Sequence, residues 1–198
     1  MSALDELQAM LPPPPGSGRD FDWTPVQQRL GVTALPQDFE DLLAAYGDVR
    51  FCNVLRLYRP STQPYLDLAE VTLASREPLA SDEFGEPPTD LPPGVSVDPA
   101  NLIQWGGSFS GDYCLWDAGD PDPDNWTLVF TDIDKIQWGF YSGTVTEFIL
   151  DWLRGHTTPI PLWNLDNILR GSAVFCEFYD PTDLSDTALD RVEATAAR

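Results

Sequence analysis

An α+β fold, a twisted, mainly antiparallel sheet with helices packed against it, is what this sequence predicts. Three observations carry that reading. Two short, well-punctuated amphipathic helical segments precede the first strand. Strand-like apolar runs then recur at short intervals between turn residues, as a meander requires. A further helix over residues 144–155 has a capping sequence at its start and glycine at its end.

Taken in order, residues 1–20 read as a short amphipathic helix bearing Leu4, Leu7 and Leu11, followed by a stiff proline run (12–15) and a flexible Gly-Ser-Gly. Thr24 is placed to cap the next helix, with Pro25 at its first position and Gln27 completing a capping box. Trp23, Val26 and Leu30 share a face before Gly31 stops it. Pro36 opens a second helix in which Phe39, Leu42, Leu43 and Tyr46 fall at i, i+3, i+4 and i+7, the stripe of a helix docking on a sheet. Asp38, Glu40 and Asp41 suit the positive end of its dipole, and Gly47 closes it.

Residues 52–58 alternate as a strand, whereas 66–74 fit helix or strand equally. The stretch 77–99, rich in proline and acid, reads as a long surface loop. Strands are predicted over 101–105, 112–116, 126–131 and 136–141, with turns at Gly106-Gly107-Ser108 and in the acidic run 117–125. In the closing helix Glu147 answers Thr144 as capping-box partner, and Val145, Phe148, Ile149, Trp152 and Leu153 face inward. Residues 160–163 and 173–179 read as an added hairpin. The tail from Thr182 reads as a weak helix through Leu189 and Val192, or as a disordered end. Organisation follows as an N-terminal helix and linker (1–20), a main domain (21–156) and a C-terminal extension (157–198).

Thirty-two acids against eleven bases give a formal charge of -21. That excess argues against direct contact with nucleic acid or anionic membrane, where Lys and Arg must replace counterions. It favours a basic protein partner, because opposite fields steer encounter. An apolar fraction of 42% with seven tryptophans excludes a wholly disordered chain, and Trp105, Trp116, Trp126 and Trp138 read as core. Cys52, Cys114 and Cys176 lie in apolar runs without metal-ligand spacing, which suggests reduced core thiols and a cytoplasmic setting. Neither a signal peptide nor a membrane-spanning run is legible.

Catalytic signatures are wanting. The single histidine, His156, follows a helix-ending glycine and reads as a dipole partner. In residues 107–111 Phe109 occupies the place where a nucleophile elbow needs serine. Asp117, Asp120, Asp122 and Asp124 alternate like oxygen ligands for Ca²⁺, but Asn125 and Thr131 stand where the loop would need glycine and a bidentate glutamate. No phosphate loop or dinucleotide fingerprint is present. The residues therefore point to no catalytic, cofactor or metal site.

Trp23, Leu30-Gly31, Leu35-Pro36 with Phe39, Leu42-Leu43 and Tyr46-Gly47, running into an apolar strand, resemble the SUKH superfamily. Residues 102–106, 111–117 and 146–153 are similar to its central hairpin and closing helix. The superfamily joins bacterial toxin-immunity proteins to yeast cell-wall-synthesis regulators. The resemblance implies a non-catalytic immunity protein that neutralises a basic, possibly nuclease, toxin by direct binding. By charge density the contact candidates are Asp82, Glu83 and Glu86 in the proline-rich loop and Asp117, Asp120, Asp122 and Asp124 in the hairpin. A regulatory scaffold of the same fold is the alternative, with an acidic-site hydrolase or Ca²⁺-binding protein behind it.

Overall fold

A computed structural model describes residues 1–81, 85–157, 162, 169, 171–180 and 188–194. Among them, helices α1 (Ala3–Met10), α2 (Thr24–Leu30), α3 (Gln37–Tyr46), α4 (Leu68–Ala80) and α5 (Val145–Arg154) pack on one open sheet. Its strands are β1 (Val49–Phe51), β2 (Leu55–Leu57), β3 (Leu102–Ser108), β4 (Tyr113–Asp117), β5 (Thr127–Thr131), β6 (Trp138–Tyr141), β7 (Phe175–Tyr179) and β8 (Ala188–Glu193). They lie in the order β6-β5-β4-β3-β2-β1-β7-β8, and every neighbouring pair is antiparallel. The fold is thus α+β, with the expected meander over β3 to β6.

Side-chain alternation builds two cores. Cys114 and Trp116 of β4, with Leu128 and Phe130 of β5, face the large core that also takes Phe39 of α3 and Phe148 of α5. Phe39 meets Trp116 edge-on at 4.9 Å, and the Phe130 and Phe148 rings lie 4.5 Å apart. The intervening Leu115 and Val129 point to the other face, where Leu79 of α4 and Val97 cover them. Central strands buried on both faces are apolar nearly throughout, which is why they were legible.

The structure departs from the sequence expectations in several places. Helix α2 begins at Thr24 with Trp23 as N-cap and no side-chain cap; the Thr24 N–H donates instead to Asp22 Oδ1 at 3.0 Å. The strand expected over 52–58 is a hairpin: Cys52 and Asn53 adopt φ of 51° and 53°, and the Val54 N–H closes the turn on the Phe51 carbonyl at 2.9 Å. Asparagine tolerates this left-handed conformation better than most residues. The ambiguous 66–74 segment enters α4, capped by Asp67, which accepts from the Glu70 N–H at 2.9 Å. Gly106, Gly107 and Ser108 form no turn but continue β3 beyond a bulge at Trp105. A Cβ on Gly106 would stand 2.9 Å from the Arg56 carbonyl, so close strand approach is the reason for glycine there.

Both terminal segments enter the same structure. Leu7 and Leu11 are fully buried, the Tyr46 hydroxyl donates to the Leu11 carbonyl at 2.8 Å, and Glu6 pairs with Arg154 of α5 at 2.7 Å. At the other end β7 pairs with β1, and the tail expected as helix or disorder contributes β8. The 173–179 half of the expected hairpin pairs with β8, and most of its expected partner at 160–163 lies outside the described residues.

Candidate functional site

The connection from β4 to β5 carries the acidic run, and its own short hydrogen bonds shape it. Asp120 Oδ1 accepts from the Asp122 N–H at 2.8 Å, and Asp122 Oδ1 from the Asp124 N–H at 3.2 Å. These turns, with the fixed φ of Pro121 and Pro123, lead into one 3₁₀ turn over Pro123–Asn125. The Trp126 indole N–H holds the base of the tip by donating to the Asp120 carbonyl at 2.7 Å. Asp124 Oδ1 accepts from the Gln37 N–H at 3.2 Å, tying the tip to the start of α3. Asp120, Asp122 and Asp124 are all exposed, so three carboxylates project from a braced loop.

Beside this tip lies a cleft of about 230 Å³ between the N-termini of α3 and α5, walled by Trp116, Trp126, Asp38, Asp124 and Val145. Free helix N-termini attract anions, yet here the chain's own carboxylates take the N–H groups. Asp38 Oδ2 accepts from the Thr146 N–H at 3.0 Å, and Thr144 and Glu147 close the predicted capping box at 3.2 and 2.9 Å. Burial raises the Asp38 carboxyl above its ordinary range, against the hydrogen bonds from Thr146 and Thr144 that favour its ionised form. A region so furnished suits cationic groups.

The other sequence candidates go elsewhere. Asp117, expected as a surface contact, is only 5% exposed. Strand alternation turns it to the second face, where Oδ2 accepts from the Ser96 and Val97 N–H groups at 2.6 and 3.2 Å and supports Val97 at φ 46°. Glu86 is exposed, while Asp82 and Glu83 lie outside the described residues. The Gly85 N–H donates to the Asp134 carbonyl at 2.8 Å, which places Glu86 by the β5–β6 turn. The two acidic groups consequently sit at opposite ends of β5, about 16 Å apart for five residues of strand, and form no common surface.

The Ser108 hydroxyl donates to Asp112 Oδ2 at 2.5 Å, and His156 is exposed at the end of α5 with Nδ1 3.8 Å from Asp151. All three cysteines are buried, none in a disulfide, and burial pushes the Cys176 thiol up to about 12, far from thiolate at neutral pH. Among the described residues no three His, Cys, Asp or Glu side chains converge as metal ligands. None of their helices is long and apolar enough to cross a membrane.

The chain matches no family model, no curated protein and no solved structure. Its site therefore rests on geometry. Sequence reasoning found the acidic tip but missed Asp38 as a wall of the cleft, because its hydrogen bond reaches a helix 108 positions away. Its only local signal, an acid in the first turn of a helix, reads as a partner of that helix alone.

Proposed function

We propose that this chain is a non-catalytic, cytoplasmic binding protein that neutralises a basic protein, a toxin with a cleft for nucleic acid, by seating the β4–β5 tip on it. One observation carries the reading: three exposed carboxylates stand on a tip that internal hydrogen bonds already hold in place. A preformed loop loses little entropy on docking. The -21 charge of the whole chain steers a basic partner toward it. Resemblance to the SUKH superfamily supports the immunity role, in which inhibition is steric and electrostatic and no bond is made or broken.

The test is capture from native lysate with the tagged chain at low and high salt, followed by kinetics with the captured partner. Asp120→Asn with Asp122→Asn keeps the acceptor oxygens that form the turns and removes two charges. Association should slow by roughly tenfold at low salt and little at high salt. A basic, salt-sensitive partner with that response supports the proposal. Unchanged association would show that the tip is not the contact, and capture of cell-envelope factors would favour the scaffold role.

A further inference from the structure

The opposite end of the sheet presents something the acidic tip does not account for. Ile133 and Ile136, in the β5–β6 turn, are 53% and 72% exposed, and Phe109 in the β3–β4 turn is 66% exposed. The two turns touch: a Cβ on Gly111 would lie 2.9 Å from Ile133 Cδ1. Phe109 also joins the β1–β2 hairpin through its N–H, which donates to the Val54 carbonyl at 3.2 Å. Burial of apolar surface drives folding, so isoleucines held outward contribute nothing to the core.

They are nevertheless held there firmly. Asp132 Oδ1 accepts from the Ile136 and Gln137 N–H groups at 2.7 and 3.1 Å. The Trp138 indole donates to the Lys135 carbonyl at 2.9 Å, and the Gly85 N–H braces Asp134 from outside the turn. Lys135, the chain's single lysine, adopts φ 55° and is only 2% exposed, its ammonium donating to the Ser81 carbonyl. The turn's one cation is therefore withdrawn from the surface. Asp134 and Glu86 remain exposed beside the isoleucines.

We infer that this end is a docking face, distinct from the β4–β5 tip, for a basic amphipathic protein segment: apolar side chains on Ile133, Ile136 and Phe109, Lys or Arg against Asp134 and Glu86. Charge decides the occupant. A second copy would bring -21 against -21 and press two acidic rims together, and an anionic lipid surface would meet the same repulsion. Because the face and the tip lie at opposite ends of β5, a ligand can engage either alone.

The experiment is a titration of the ¹⁵N-labelled full chain with a synthetic helical peptide carrying leucines on one face and lysines on the other. The control peptide has every leucine replaced by serine. Amide shifts should centre on Gly111, Ile133 and Ile136. Affinity should fall about tenfold or more for the control peptide, and likewise for the Ile133→Ser, Ile136→Ser variant with its melting temperature retained. The Asp120→Asn, Asp122→Asn variant should bind the peptide like the parent, which separates this face from the tip. Shifts centred on residues 120–124, equal affinity for the two peptides, or an unaffected isoleucine variant would each overturn the inference.

Discussion

Asp48→Ala probes a buried ion pair at the entry to β1, beside the edge where β7 joins the sheet. Asp48 follows the glycine that ends α3; its carbonyl accepts from the Tyr179 N–H of β7 at 3.0 Å, and its carboxylate pairs with Arg59. Arg59 is 1% exposed and Asp48 5%. One guanidinium nitrogen meets the carboxylate, whereas Nε and Nη1 have no hydrogen-bond partner among the described residues. Arg56 and Arg19 add repulsion. Removing the carboxylate leaves a desolvated cation with no compensation, a loss of about 3–5 kcal/mol. For a chain of 198 residues that is roughly 6–20 °C in melting temperature, at about 2–4 °C per kcal/mol. Urea unfolding at pH 7, followed by tryptophan fluorescence, measures it directly. The double variant Asp48→Leu, Arg59→Met removes both charges and should recover most of the loss, since apolar replacements of buried pairs are often neutral or better. A cost below about 1 kcal/mol for Asp48→Ala, or a double variant no better than the single, would refute the reasoning, because either means that Arg59 reaches water.

Three further outcomes follow from the same structure. Leu7→Ala should cost about 2–5 kcal/mol in urea unfolding, since α1 is core; a cost near zero would mean that the helix is not docked. Thr144→Ala removes the α5 cap and should cost about 1 kcal/mol, with the melting curve remaining a single transition. Asp38→Asn keeps the acceptor for Thr146 but removes the charge. Burial puts the folded carboxyl above its unfolded 3.8, so the folded state holds the proton more tightly. The parent's stability relative to the variant should therefore be greatest at low pH, fall as pH rises through the raised folded value, and level off above it. Unfolding from about pH 3.5 to 7 checks this, and a flat difference would contradict it.

What the sequence by itself determined is whatever is encoded within a turn or two of chain. Helix α5 is the clearest case: Thr144 and Glu147 cap each other three residues apart, Gly155 adopts φ 73°, and the inward stripe is buried as its spacing demands. The α3 stripe was legible because its period reports which face is covered, and strands β3 to β6 because apolar runs recur between turn residues. The acidic tip was legible too, since proline and aspartate write their own turns. Tertiary structure alone decided the rest. Leu189 and Val192 read as a weak helix or a disordered end, and β8 exists because β7 offers it backbone partners. Gly106 and Gly107 read as a turn until Arg56 is seen across the ladder. Asp117 and Asp120 are the same residue three positions apart, yet one is buried under Ser96 and Val97 while the other is exposed. Lys135 spends its charge on a carbonyl 54 positions away, and Glu86 and Asp124 end at opposite ends of one strand. Caps, tight turns and side-chain period are local quantities, whereas burial, strand partnership and hydrogen bonds such as Lys135 to Ser81 depend on residues far away in the chain, and in this molecule they decide which of its many charges stay exposed.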